Sequence, residues 1–292
     1  MWLSVVLAFA VAPAWAPAAE LKPVTVQAFD RYIQKSEARM STLRPGDSFL
    51  WMDALPGEGR AKAYAKLQRG EIIVERSEEG DSSIGITTEG GGLIHDWTAI
   101  VFVPEVSLLQ TLKLLQDYNR AAEFYQPDVT RSKLLSHSGD DFQVYLRLKR
   151  KEVITAVFDT EYDIRYSSLD AAHAQSRSYS TRIAEVQHAD ESSESDKPVG
   201  QDDGFLWRLD SYWRFFQADG GIYIQCEAIS LTRDIPEGLG WLVSPFITKI
   251  PSESLRRTLE STRAALIREY KKPVSKITSM RGEGDVHTNG IR

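Results

Sequence analysis

Two hydrophobic periods divide the chain into helix-forming and strand-forming regions. Apolar residues recur every three to four positions in residues 24–40 and again in 105–125, which predicts an amphipathic helix in each. In residues 92–104, and in several runs after Pro127, β-branched and aromatic residues alternate with polar ones, which predicts strands. Because runs of strands are segregated from the helices, we predict an α+β fold with one antiparallel sheet.

The last periodic segment predicts a long C-terminal helix. Its apolar positions fall on one stripe of a helix, and they are occupied by Leu255, Leu259, Thr262, Leu266 and Tyr270. Ser252 follows Pro251 and is the predicted N-cap. A helix from Ser252 to Tyr270 would be roughly 28 Å long at about 1.5 Å per residue. Such a rod fits either an ordinary core helix or a helix that closes a hollow behind small Thr262.

The connections carry turn signals, with one exception. Asp219-Gly220-Gly221 predicts a hairpin between the last two strands. The acidic, serine-rich residues 189–203 predict a solvated hairpin loop. The exception is WLVSPFI, Trp241–Ile247, an apolar run in the connection before the last helix. Burial under the helix end and a gate over a cavity are both compatible with it.

Composition and charge limit the class of protein. Apolar residues make up 42% of the chain and charged residues 26%, so a substantial core can form. The net charge of −6 argues against general nucleic-acid binding, which needs a basic surface. Cys226 is the only cysteine. An intrachain disulfide is therefore excluded, and we interpret Cys226 as a buried structural thiol.

The first residues predict export. The apolar run Leu3–Val11 has the length of a signal-peptide core and is too short to span a bilayer. Alanines at positions 14, 16, 18 and 19 offer cleavage sites. We therefore predict a periplasmic or secreted protein, with an uncleaved N-terminal membrane anchor as the lesser alternative.

The sequence contains no motif that names a reaction, and it predicts no metal and no cofactor. The five histidines lack metal-ligand spacing such as H-x-x-x-H, and His95-Asp96 predicts a surface pair at the start of a strand. Asp159, Glu161 and Asp163 share one strand face, where exposed cross-strand ion pairs are expected. They could act as acid/base groups only if that face were concave.

The order of elements in the C-terminal half resembles that of a known protein family. A hairpin and turn, WRFFQADGGIYIQCEAISLTRDIP, precede an apolar connection and terminal helix, GLGWLVSPFITKIPSESLRRTLESTRAAL. The earlier strand–helix unit HDWTAIVFVP–EVSLLQTLKLLQDY fits the same order. Over residues 92–270 the chain resembles the START-like superfamily of polyketide cyclases/dehydrases and lipid transport proteins. The resemblance implies a helix-grip fold, in which a curved antiparallel β-sheet wraps around a long C-terminal α-helix, here with an extra N-terminal helical segment.

The resemblance also implies a cavity between sheet and helix that takes a lipid or another hydrophobic small molecule. We expect its lining from the late strands, the apolar connection and the helix stripe: Phe158, Tyr162, Trp213, Phe215, Ile224, Trp241, Phe246, Leu255, Leu259, Thr262 and Leu266. Arg208 and Arg214 are candidate polar anchors for a ligand carboxylate or phosphate, and internal salt bridges fit the pattern equally well.

The predicted organisation has four parts. Residues 1–19 are a signal peptide, 20–91 an N-terminal helical and strand-forming extension, 92–270 the START-like domain, and 271–292 a disordered tail.

Three functions follow as hypotheses. The first is an exported, non-enzymatic protein that binds a hydrophobic molecule or lipid, with lipid transport as an extension. The second is a cyclase- or dehydratase-like enzyme that uses cavity carboxylates and tyrosines. The third is an envelope protein that docks on a membrane, transiently, or on a partner through Trp241–Ile247.

Overall fold

The fold is one large antiparallel sheet with helices on both faces. The computed structural model of the chain describes residues 19–46, 48–76, 85–151, 155–234 and 249–270. Its helices are α1 (Pro23–Met40), α2 (Gly57–Gln68), α3 (Leu108–Leu115), α4 (Ala121–Phe124) and α5 (Ile250–Tyr270). Three predicted segments lie outside the described residues: the export signal, the run that contains Trp241 and Phe246, and the C-terminal tail. The roles predicted for these segments stay predictions. No helix among the described residues is both long and apolar enough to cross a bilayer.

The strands of the sheet are β2 (Ile73–Arg76), β3 (Ile86–Thr88), β4 (Gly92–Pro104), β5 (Val129–Ser138), β6 (Asp141–Lys151), β7 (Thr155–Ser168), β8 (His173–Gln187), β9 (Ser195–Asp196), β11 (Arg208–Ala218) and β12 (Gly221–Thr232). They are ordered β2-β4-β12-β11-β8-β7-β6-β5, with β3 paired to β4 and β9 paired to β8. Two short strands, β1 (Ala19–Glu20) and β10 (Gln201–Asp202), pair separately.

The predicted hairpin between the last two strands is confirmed. β11 and β12 pair in continuous register from Arg208 opposite Leu231 to Ala218 opposite Gly221. Asp219 and Gly220 form the turn with φ of 53° and 72°, the left-handed conformation that the right-handed twist of a two-residue hairpin requires.

The inner face of the curved sheet holds α5, as the helix-grip prediction required. Leu259 and Leu266 are fully buried and belong to one apolar cluster with Val101, Phe215 and Ile224. The helix begins at Ile250, two residues before the predicted start. Ser252 is therefore not the N-cap: it lies inside the first turn, where its hydroxyl donates to the Lys249 carbonyl at 3.2 Å.

The N-terminal segment covers the outer face of β4, β11 and β12. Helix α1 packs Phe29 and Ile33 against Trp207 and Ile229. A second cluster joins the 3₁₀ turn Trp51–Ala54 and α2 to the outer side of β4 and β12, through Leu50, Met52, Leu67, Ile100 and Tyr223. Strands β2 and β3 also come from this segment and pair with β4. The segment before residue 92 is thus part of the same sheet, and the proposed domain boundary there stays a prediction.

His95 and Asp96 are buried by this cover, so the prediction of a surface pair was wrong. Both residues are only 2% exposed, because β4 lies inside the sheet with helices over both faces. His95 Nε2 lies 3.0 Å from the Thr232 hydroxyl on β12. Asp96 accepts a hydrogen bond of 2.8 Å from Tyr32 on α1. Burial lowers the pKa of His95 to about 4, so the imidazole is neutral at neutral pH.

Candidate functional site

A cavity of about 280 Å³ lies between the first half of α5 and the inner face of the sheet. Helices α3 and α4 close one side of it. Its walls are mainly apolar and aromatic: Leu114, Leu115, Tyr118, Ala121, Phe124, Tyr125, Val129, Leu146, Leu148, Phe158, Tyr162, Ile164, Tyr166, Phe205, Leu206, Leu209, Trp213, Cys226, Ala228, Ile250, Pro251 and Leu255. Small-molecule sites in proteins are typically hollows of about 300 to 1,000 Å³ with this kind of lining.

Short side chains on both walls explain why this region is hollow. On α5, positions 254, 258 and 261 face the cavity and carry Ser254, Thr258 and Ser261. The floor opposite them is equally short, because the strands present Ser178, Ser211, Ala228 and Ser230. Large residues meet elsewhere along the same helix, where Leu259 and Leu266 pack in the cluster with Phe215. The side chains of α5 therefore fill one half of its interface and leave the other half open.

The structure brings four of the predicted cavity residues to the wall: Phe158, Tyr162, Trp213 and Leu255. Phe215, Ile224, Leu259 and Leu266 lie on the same inner face, but they are fully buried in the packed cluster beside the cavity. Thr262 is also fully buried and accepts a hydrogen bond of 3.0 Å from Tyr125, since its own hydroxyl donates to the Thr258 carbonyl. Whether any of these residues contacts a ligand stays a prediction.

Arg208 and Arg214, the predicted polar anchors, do not line this cavity, and their contact with a ligand stays a prediction. Even-numbered residues of β11 point to the outer face, toward the N-terminal segment. Arg214 donates 3.0 Å hydrogen bonds to the carbonyls of Phe49 and Met40. Burial lowers the pKa of Arg214 to about 10. Arg208 donates to the Trp207 carbonyl at 2.9 Å. Arg214 therefore fixes the N-terminal segment on the sheet.

Among the described residues, the cations at the cavity wall are Arg150 on β6 and Arg257 on α5, with Asp128 between them. Arg150 Nη1 lies 3.1 Å from Asp128 Oδ1, and Arg257 Nε lies 2.8 Å from Asp128 Oδ2. Arg150 also donates to the Ser254 hydroxyl at 2.9 Å. Burial lowers the pKa of Arg150, yet a guanidinium stays protonated in proteins. The cluster joins the end of β6 to the first turns of α5.

Buried tyrosines supply neutral polar groups to the wall. The hydroxyls of Tyr118 and Tyr166 lie 2.9 Å apart. Burial raises the pKa of Tyr125 and of Tyr162 to about 12, so both phenols are protonated at neutral pH. Tyr125 already donates its hydrogen to Thr262, and neither neutral phenol is a good proton acceptor.

The carboxylates of β7 face away from the cavity. Asp159 accepts hydrogen bonds of 2.7 and 2.6 Å from Arg147 Nε and Nη2, and Gln143 donates to Asp163 at 3.1 Å. The condition for their acid/base role, a concave position, is therefore not met. Asp117 and Asp128 are the carboxylates at the cavity wall among the described residues. The described residues also contain no cluster of His, Cys, Asp or Glu that could hold a metal ion.

Sequence reasoning missed Arg150, although a signal for it existed. Phe142, Val144, Leu146 and Leu148 alternate with polar residues along β6, and Arg150 continues the same alternation. The floor serines were missed because isolated serines in strands carry no distinctive pattern.

Several solved structures resemble this chain. A STAR-related lipid transfer protein from Xanthomonas axonopodis is 16% identical, with a TM-score of 0.44, over 66% of this chain and 98% of that one. Human STARD10 is 11% identical, with a TM-score of 0.42, over 78% and 84%. The Zhui aromatase/cyclase from a Streptomyces species is 14% identical, with a TM-score of 0.36, over 60% and 94%. No protein-family model and no curated protein matches the sequence. The matches thus include lipid-transfer and aromatase/cyclase structures, and at this level of similarity they assign no ligand and no residue roles.

Proposed function

We propose that this protein binds a hydrophobic small molecule or lipid in the cavity between α5 and the sheet. The observation that carries the proposal is the cavity itself: about 280 Å³ of space with predominantly apolar walls. Filling such a space with side chains would stabilise the fold, since buried cavities cost free energy in proportion to their size. A bound apolar molecule recovers part of that free energy by covering the walls.

The lining supports a bound molecule that is apolar along most of its length. Apolar contacts with Phe158, Leu146 and Trp213 would supply most of the binding free energy, at about 25 cal/mol per Å² of apolar surface removed from water. The floor hydroxyls of Ser178 and Ser211 give a few directional hydrogen-bonding groups. Sparse polar groups among apolar walls are the usual way in which a pocket orients such a ligand.

Native mass spectrometry tests the proposal. The protein, purified from its own host without detergent, should carry a bound apolar molecule that organic solvent removes. Ala228→Trp is the blocking variant, because Ala228 lies on the cavity floor, and it should carry none. A wild-type protein that is ligand-free and also fails to bind added decanol or decanoate would contradict the proposal.

We also propose that binding takes place outside the cytoplasm, and that lipid transfer between membranes is the process served. Support comes from the apolar leader Leu3–Val11. Cell fractionation with an antibody against the chain tests export. Transfer is tested by the rate at which the purified protein moves a fluorescent lipid between two vesicle populations. A rate equal to that of the Ala228→Trp variant would remove the transfer proposal and leave binding intact.

A further inference from the structure

The cluster of Arg150, Asp128 and Arg257 carries one more positive charge than negative. Asp128 is its single carboxylate, at 3.1 Å from Arg150 and 2.8 Å from Arg257. All three side chains are partly or largely shielded from solvent: 15% exposed for Arg150, 16% for Asp128 and 38% for Arg257. A net charge at a shielded, mainly apolar wall interacts strongly with a counter-ion because solvent screening is weak there.

Both arginines keep donors that the described residues do not use. Arg150 bonds through Nε to Ser254 and through Nη1 to the carbonyls of Asp128 and Lys149. Within the described part of the chain, its Nη2 makes no hydrogen bond. Arg257 binds Asp128 through Nε, and neither of its Nη atoms bonds to another described residue. Guanidinium N–H groups hold carboxylates and phosphates in pairs of parallel hydrogen bonds.

The first turn of α5 adds to the positive potential at the two arginines. Ile250, Pro251 and Ser254 line the cavity beside the arginines. The N-terminal end of a helix of this length carries partial positive charge. Two guanidinium groups and a helix end therefore place positive potential at one end of an otherwise apolar cavity.

We infer that the ligand is an amphiphile with an anionic head group, a carboxylate or a phosphate, which binds Arg257 and Arg150 while its apolar part fills the cavity. This inference rests on the proposed function, because the arginine pair is a head-group site only if the cavity takes an apolar chain. Asp128 acts as a positioning residue that holds the two guanidinium groups side by side.

Arg257 is the residue on which to test the inference. Arg150 also joins β6 to α5, so its replacement would affect folding. Arg257 makes fewer contacts and is better exposed. The matched control is Arg256, its neighbour on the same helix, which is exposed and does not line the cavity. Among the described residues, Arg256 donates only to the Ile72 carbonyl, at 3.4 Å.

The experiment measures Kd by titration calorimetry for decanol, decanoate and decyl phosphate at neutral pH. The wild type should bind the two anions about tenfold more tightly than decanol, as expected for one charged hydrogen-bonding interaction. Arg257→Gln should remove most of that preference, because it weakens the binding of both anions far more than that of decanol. Arg257→Lys should restore part of it, and Arg256→Gln should leave it intact. Equal thermal unfolding midpoints show that the variants are folded.

Four results would overturn the inference. Equal affinity for decanol and the anions, or an equal preference in Arg257→Gln and Arg256→Gln, removes the head-group site while the proposed apolar binding stands. Inorganic phosphate that competes as well as decyl phosphate shows an anion site independent of the cavity. Failure of all three amphiphiles to bind contradicts the proposed function itself, and the inference falls with it.

Discussion

The two halves of the α5 interface differ in how fully they are packed, although they belong to one helix and one sheet. In the packed half, one stripe of α5 carries Leu259 and Leu266, which are fully buried against Phe215 and Ile224. In the open half, the neighbouring stripe carries Ser254 and Ser261, which face Ser211 across a space of about 280 Å³. The comparison shows that stability and ligand space come from separate parts of the same interface. Substitutions in each half should then have different consequences.

The largest expected effect is a loss of stability in the packed half. Leu259→Ala should lower the free energy of unfolding by about 2 to 5 kcal/mol, because it removes apolar contacts and leaves a new cavity. Leu255→Ala, one helical turn earlier and beside the existing space, should cost less. Urea unfolding of both variants measures the difference. Equal losses would mean that the side of α5 next to the cavity is as tightly packed as the side that carries Leu259.

Introducing a bulky side chain should reduce ligand binding in the open half and stability in the packed half. Ala228→Trp on the cavity floor should change the free energy of unfolding little and weaken decanol binding more than tenfold, about 1.4 kcal/mol or more. Ala99→Trp is the matched variant in the packed cluster. It should cost about 1 to 3 kcal/mol of stability through overpacking. If Ala228→Trp were the more destabilising variant, the floor would not border an open space.

The smallest effect concerns the border between the halves, where Tyr125 donates to Thr262. Tyr125→Phe should lower stability by about 0.5 to 1.5 kcal/mol, the net value of one hydrogen bond. Burial raises the pKa of Tyr125 from 10 to about 12. Its contribution is therefore complete below pH 10 and is lost as pH rises toward 12. Thermal unfolding across this range should show a shallower decline in Tyr125→Phe than in the wild type, and parallel curves would contradict the assignment.

The fold could be predicted largely from the sequence, because periodicity reports which face of each element is buried. The stripe through Leu255 and Leu266 identified α5, and the alternation through Phe158 and Tyr162 identified the inner face of β7. The outer face could not be read in the same way. Residues such as Arg214 and Asp96 look like solvent-exposed groups in a strand, and only the tertiary cover by α1 and the stretch that follows it buries them and supplies their hydrogen-bond partners.

The site was less predictable because a cavity depends on which side chains face each other across the interface between α5 and the sheet, and the sequence does not show those pairs. Ser211 and Ser261 are separated by fifty positions in the chain, and neither residue alone indicates that space remains between them. Phe215 and Ile224 are apolar residues of the kind expected in a cavity wall, yet they pack against large side chains such as Leu259 and leave no space. Side-chain size across the interface, and not apolar character, decides which part is hollow.

The reactivity of Cys226 tests the central claim most directly. It is the only cysteine in the chain and lines the cavity, where burial raises the thiol pKa. The measurement is the rate of alkylation by N-ethylmaleimide with and without saturating decanoate. The control is Ile229→Cys in a Cys226→Ser background, which places a thiol on the same strand but on the outer face. Binding in the cavity predicts that decanoate slows alkylation at position 226 much more than at position 229. Equal slowing at both positions, or none at position 226 when decanoate is bound, would contradict it.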